Sequence, residues 1–312
     1  MPQLDLKTVV FVGLAIEVVC NLVMAALWRQ GRRQYAGLGF WALNFAAQTT
    51  GLFLILLRGQ LPIWLSVSAA NVLLVGGAWL GLLGLERFVG RRRPQLANGT
   101  VTAAAVALHA YLTYVQPNLA LRAALMAAAM LFFFVRCSVL LLRGVDATLR
   151  PCTRAVGVVF ALFAALFAYR IASQFGQLGQ PDDYFRLGAP EALFHLAVQV
   201  LFVLLTYSLA LMVNRRLLLD LTLQREKFSK AFHSSPYALL LTRLSDGQIL
   251  EINEGFTAMA GYDDAEARGT TTIDLNLWAQ TGDRDAVVAQ LAARSRVDGL
   301  EFSFRKKSGE LL

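Results

Sequence analysis

The sequence predicts an α-helical polytopic membrane domain of about seven transmembrane helices, followed by a small α/β module whose sheet lacks its last strands. Three observations carry that prediction. The 312-residue chain is 56% hydrophobic and only 16% charged, against about 25% charged in soluble domains. Its apolar residues collect in runs close to the roughly 20 residues that a helix needs to cross a hydrocarbon core. From Asn214 onward those runs stop, and charged residues, turn signals and short alternating segments take over.

The apolar spans cover residues 8–28, 35–57, 62–85, 100–116, 119–142, 155–175 and 192–213, the fourth being the shortest. Residues 1–7 lack a basic n-region, so the first span reads as a retained helix rather than a cleaved signal peptide. Arginines set the orientation, because cytoplasmic loops carry the excess of basic residues. Arg29, Arg32 and Arg33 follow the first span, Arg87, Arg91, Arg92 and Arg93 the third, Arg143, Arg150 and Arg154 the fifth, and Arg215 and Arg216 the seventh. The alternate connections hold only Arg58, Arg122 and Arg186, the last beside Asp182 and Asp183. The amino terminus is therefore expected outside and the C-terminal module in the cytoplasm. These clusters also account for the net charge of +8, which argues for the lipid bilayer and against nucleic acid as a partner. Cys20, Cys137 and Cys152 lie far apart without a C-x-x-C pair, and support neither a disulfide framework nor a zinc site.

The last span passes without Pro or Gly into the charged run 214–230. There Leu217, Leu221, Gln224, Phe228 and Ala231 repeat at spacings of four and three, an a/d seam of about two heptads. A continuous signalling helix that pairs with a second copy is expected, giving a homodimer. The resulting division is a membrane sensor domain over 1–213, a helical linker over 214–230 and the α/β module over 231–312.

Within the module, 237–244 reads as a strand, Ser245-Asp246-Gly247-Gln248 as a hairpin turn and 249–252 as the returning strand. Short helices are expected over 254–260 and 263–268 and a better one over 283–294. Residues 299–306 alternate as a strand, with Lys307-Ser308-Gly309-Glu310 as a second turn. Asn253 is placed to cap the helix that follows it, and Phe256, Tyr262 and Trp278 are expected in the core.

The run from Ser245 to Glu266, with its Asp246-Gly247 hairpin, the Asn253-x-x-Phe256 step, Gly261-Tyr262 and an acidic helix start, resembles the front half of a PAS domain. The resemblance extends over about 227–312. It implies an antiparallel sheet flanked by short helices, used for sensing, dimerisation or relay, with Asn253, Phe256, Gly261 and Tyr262 as structural or pocket positions. It also implies two further strands after Lys307, so the chain is expected to be truncated, with an output domain past Leu312. Flavin-cysteinyl adduct chemistry would need a cysteine in the module, and none follows Cys152. PAS haem would need a histidine inside it, and the one present, His233, stands at its start.

Polar residues punctuate the apolar spans, where they are costly and normally face a cavity or a partner. Glu17, Asn21, Asn44, Gln48, Asn71, His109, Arg122, Arg136, Arg170, Gln174, His195 and Gln199 lie within or at the ends of the spans, and of these Glu17, Gln48, His109, Arg122, Arg170, Gln174, His195 and Gln199 are expected in the middle or outer half of the membrane. One reading is a pocket for an unknown small-molecule stimulus, with Arg170 or Arg122 pairing an anionic group and His195 or His109 donating a hydrogen bond. The other is a set of interhelical hydrogen bonds and Arg–Glu pairs. Two lone histidines are weak grounds for haem or metal, and retinal is excluded because no lysine lies between Lys7 and Lys227 to form its Schiff base. No catalytic or metal-ligand constellation is visible. The stretches Arg32-Arg-Gln-Tyr-Ala-Gly-Leu-Gly-Phe-Trp41, Leu56-Leu-Arg58-Gly-Gln-Leu-Pro62, Asn71 and Gly84-Leu-Glu-Arg87-Phe are similar to multi-helix input regions that precede PAS and diguanylate cyclase (GGDEF) modules in bacterial inner-membrane proteins. That similarity implies a cyclic-di-GMP sensor first and a sensor histidine kinase second. A transporter or enzyme with a regulatory PAS domain is the rival from another class.

Overall fold

The structure is a computed structural model that describes residues 6–175 and 189–312. The connection holding Asp182, Asp183 and Arg186 lies outside the described residues. Two compact units divide between Leu217 and Leu218.

The first unit is helical: α1 (Leu6–Gly31), α2 (Leu38–Leu56), α3 (Ala70–Phe88), α4 (Leu96–Tyr114), α5 (Leu119–Arg143), α6 (Arg150–Phe175) and the first part of α7 (Ala189–His233). A π-helical turn over Trp64–Ala69 leads into α3; Pro62, which lacks an N–H, stands just before it. Among the described residues, six helices are long and apolar enough to cross a membrane. The helix expected from the fourth span is present as α4 but is not one of the six, since Asn98, Thr100, Thr102 and His109 dilute its apolar content.

Consecutive helices pack side by side, α1 on α2, α2 on α3 and α5 on α6. One core runs through all seven, with Met24, Trp41, Phe45, Leu82, Phe133, Val156 and Met212 buried in it. At the α2–α3 contact small residues allow close approach. A Cβ at Gly84 would stand 2.5 Å from Trp41 Nε1 and 2.9 Å from the Gly37 carbonyl. Large apolar side chains such as Phe11, Leu22, Leu162, Leu193 and Tyr207 face outward, the arrangement that a hydrocarbon solvent accepts and water does not.

The second unit begins with the rest of α7. It continues through β1 (Leu240–Thr242), β2 (Ile249–Ile252), α8 (Glu254–Ala260), α9 (Asp264–Ala267) and α10 (Thr281–Arg294). β1 and β2 form an antiparallel pair with a register shift between Leu241 and Thr242. The turn joining them closes because Gly247 adopts φ 73° and the Asp246 carboxylate accepts from the Gln248 N–H at 3.0 Å. β1 is shorter than the expected 237–244, because the Leu239 N–H turns to the side chain of Asn253. Residues 299–306 do not form a strand; Gly299 sits at φ 64° and pairing is confined to single bridges, Trp278 with Phe304 and Arg305 with Leu311. The turn at Lys307–Gly309 does form, with the Phe304 and Leu312 backbones exchanging two hydrogen bonds of 2.8 Å. Ile249, Ile252, Phe256, Ala260, Ala267 and Leu277 make the core. Tyr262 and Trp278, expected inside, are half-buried, because each needs a partner for its polar tip: Leu275 O for the Tyr262 hydroxyl and Thr272 Oγ1 for the indole N–H.

Candidate functional site

Matched spacings bring polar side chains together inside the helical unit. Asn44 and Gln48, one turn apart on α2, face Gly77 and Gly81, one turn apart on α3. A Cβ at Gly77 would stand 3.0 Å from Gln48 Nε2, and one at Gly81 would stand 3.3 Å from Asn44 Nδ2, so the missing side chains make the room for two amides. Gln48 Nε2 donates to Leu74 O at 2.9 Å and to Asn44 Oδ1 at 3.3 Å.

On α7, Glu191, His195, Gln199 and Phe202 recur at helical spacing and share one face. Gln199 lies across Gly13 and donates to Val9 O of α1 at 2.8 Å. On α6, Arg170 forms an ion pair of 2.5 Å with Glu191, and Gln174, one turn on, donates to the other carboxylate oxygen at 3.0 Å. The guanidinium of Arg170 also stands 4.1 Å from the centre of the Phe194 ring. Both partners of the ion pair are buried, so removing either would strand a charge, at a cost of about 3–5 kcal/mol.

These faces line a cavity of about 180 Å³. Its polar wall is Glu17, Asn44, Gln48, Arg58, Asn71, Arg122, Arg170, His195 and Gln199, and its apolar wall includes Met126, Met130, Phe134, Phe163, Phe167, Phe194 and Phe202. Of the six residues read as pocket candidates, Glu17, Arg122, Arg170, His195 and Gln199 lie on this wall and His109 does not. His109 is buried on α4 within electrostatic reach of Arg122 and Arg58, and its Nε2 has no hydrogen-bond partner among the described residues. Glu17 Oε2 likewise has none among the described residues, with the Thr49 hydroxyl beside it.

Gln48, expected at cavity depth, is on the wall; Asn44 and Asn71, expected only as polar residues of the spans, join it there, while sequence reasoning missed Arg58 as a wall residue and Glu191 as the partner of Arg170. The four-residue spacings of Asn44/Gln48 against Gly77/Gly81, and of Arg170/Gln174, are the signals that were available. The partner helix of each was not. A second polar cluster, Trp79–Gln95–Glu86 with Asn98 and Arg136, is fully engaged: Gln95 Oε1 accepts from Trp79 and Asn98, Gln95 Nε2 donates to Glu86, and Arg136 donates to Asn98 Oδ1.

In the second unit Asn253, 1% exposed, is the hub. Its Oδ1 accepts from the N–H groups of Phe256 and Leu239, both at 2.8 Å, so it caps α8 as expected. Its Nδ2 donates to the carbonyls of Phe232 at 3.0 Å, Ser235 at 3.2 Å and Tyr237 at 2.8 Å. Phe232 lies in the last turn of α7, whose carbonyls have no partner within the helix. One amide therefore caps the end of α7 and the start of α8. Gly261 closes α8 at φ 80°, and the Asp263–Glu266 capping box opens α9. On the linker, Leu217 is half-buried while Leu221 and Phe228 are more than half exposed.

Residues 226–292 match the family model described as PAS domain. A helical region with several membrane-length helices thus precedes a PAS domain that holds a small two-stranded sheet. No curated protein and no solved structure matches the chain.

Proposed function

We propose that the chain is the input and relay portion of a bacterial inner-membrane signalling sensor. In this reading the amino terminus is outside and the PAS domain in the cytoplasm. The cavity among the helices receives a small-molecule stimulus, α7 transmits it, and the PAS domain relays it within a homodimer. The output is the synthesis of cyclic di-GMP by a diguanylate cyclase module. The observation that carries the reading is α7 itself. It is 45 residues long, contributes His195, Gln199 and Phe202 to the cavity wall, and ends at Phe232 and His233 under the Asn253 cap.

A helix shared in this way converts a change at one end into a change at the other if it has two positions a few kcal/mol apart. The exposed Leu221 and Phe228 supply an apolar strip for the second copy. Membranes from cells expressing the complete reading frame should convert GTP to cyclic di-GMP. ATP-dependent autophosphorylation instead would assign the output to a kinase, and neither activity would refute the sensor reading.

A further inference from the structure

We infer that the cavity receives a small uncharged ring bearing an O–H or N–H donor; the inference rests on the cavity being the input site. The open positions on its polar wall are acceptors. Gln48, Asn71 and Gln199 each give the side-chain amide nitrogen to a backbone carbonyl, that of Leu74 at 2.9 Å, Val67 at 2.7 Å and Val9 at 2.8 Å. A carbonyl only accepts, so each amide is fixed with its nitrogen on the backbone and its oxygen at the other end. Those three oxygens and Glu17 Oε2 accept from no group among the described residues. Glu17 is itself only 7% exposed. Arg170 is spent on Glu191, and Arg58, Arg122 and His195 have contacts of their own. The recognition therefore falls to the amides and the carboxyl.

The acceptors gather near one level. Gln199 lies across Gly13, which is one turn before Glu17, about 6 Å along α1 at 1.5 Å per residue. Gln48 precedes Thr49, whose hydroxyl stands beside Glu17. Much of the remaining wall is apolar. Met126, Met130 and Phe134, four residues apart on α5, share one face. On α6, Phe163 lies 4.9 Å from the Phe134 ring and Phe167 lies edge-on to it at 5.2 Å. Water would satisfy the amide oxygens but not this face, because space walled by apolar side chains stays dry. A ring with a donor on its edge satisfies both, giving its O–H or N–H to the oxygens and packing its body among the phenyl groups.

Charge and size complete the argument. A hydroxyl or N–H suits Glu17 in either protonation state, and it brings no charge to membrane depth, where one is costly. A cavity of about 150 Å³ takes benzene, so about 180 Å³ holds a ring with one small substituent.

The test is calorimetric titration of the full chain in lipid nanodiscs with phenol, aniline, benzaldehyde, toluene and benzylamine, with empty nanodiscs supplying the partition into lipid. Phenol and aniline donate through O–H and N–H, benzaldehyde only accepts, toluene does neither, and benzylamine donates but carries a positive charge. Phenol or aniline should bind at least about tenfold more tightly than the other three, because a site built to bond a donor rejects analogues that lack it. The tighter of the two names the donor. Glu17→Met replaces the carboxyl by an apolar group of similar length. It should weaken the preferred donor about tenfold and leave toluene binding and the melting temperature unchanged. Glu17→Gln, which keeps an acceptor oxygen, should retain most of the preference. Benzaldehyde or toluene binding as tightly as the donors, benzylamine binding more tightly, an unchanged donor preference in Glu17→Met, or no binding by any of the five overturns the inference. The sensor reading fails separately. If phenol or aniline binds through Glu17 while a spin label on Leu221→Cys reports no change in α7, the ligand class stands and transmission does not.

Discussion

Replacing Asn253 tests whether one side chain joins the end of α7 to the start of the PAS core. Asn253→Ala removes five hydrogen bonds at a site that is 1% exposed. Loss of the α8 cap alone costs about 1 kcal/mol. The Leu239 N–H and the Tyr237 and Phe232 carbonyls lose partners too, at about 1–3 kcal/mol for each group left buried and unsatisfied. With partial relaxation the sum is about 3–5 kcal/mol, a large share of the roughly 5–15 kcal/mol that holds a domain together. Asn253→Asp separates the two halves. A carboxylate still accepts from the Phe256 and Leu239 N–H groups and remains a good cap, but it cannot donate, and it faces three carbonyl oxygens. Hydrogen exchange of the full chain in nanodiscs, followed by mass spectrometry, reads both. In Asn253→Ala, protection should fall around Phe232, Leu239 and Phe256. In Asn253→Asp, it should fall around Phe232 and persist at Phe256. Unchanged exchange at the end of α7 in the Asp variant would refute the idea that the amide holds that helix.

Three further outcomes are expected. Gly84→Ala should destabilise the helical unit by about 1–3 kcal/mol through overpacking, since its Cβ meets Trp41 and the Gly37 carbonyl, while Gly76→Ala, with nothing within 4 Å, should be tolerated; thermal unfolding in detergent compares them. Leu221→Pro breaks the hydrogen bond to Leu217 at an exposed point of α7, with an intrinsic cost of about 3 kcal/mol. Membrane insertion should survive and stimulus-dependent output should be lost, so normal regulated output would count against α7 as the transmitter. The Lys307 ammonium, and after it the Asp263 N–H, hold the Glu266 carboxyl below its ordinary value, and the same contact raises Lys307. The Glu266 contribution is complete above about pH 4.3 and is lost as pH falls through its depressed folded value. The Lys307 contribution is complete below about pH 10.4 and is lost as pH rises through its raised folded value. The protection of the Lys307 N–H, which donates to Ala260 O, relative to its intrinsic exchange rate at each pH should fall at the acid edge in the parent, and the edge should be smaller in Lys307→Gln, where only the Asp263 N–H still holds the Glu266 carboxylate.

Local chemistry made much of this protein legible from residue order. Hydropathy over some 20 residues marks a membrane-length helix whatever its neighbours, so six of the seven expected spans appear as helices of that kind. Turn and cap signals act within four residues, which is why Asp246-Gly247 closes a hairpin, Asn253 caps α8 over Glu254–Ala260, and Gly261 ends it. The polar residues of the spans were visible one by one. Which of them meet is a matter of helix rotation and neighbour choice, and no local rule states either. Arg170 finds Glu191 across 21 residues of sequence and Gln199 finds Val9 across 190. His195 lines the cavity and His109 does not. The same division runs through Asn253. Its carboxamide oxygen obeys a capping rule that sequence alone supplies, while its nitrogen reaches back 21 residues to Phe232, a partner that only the folded backbone brings within reach.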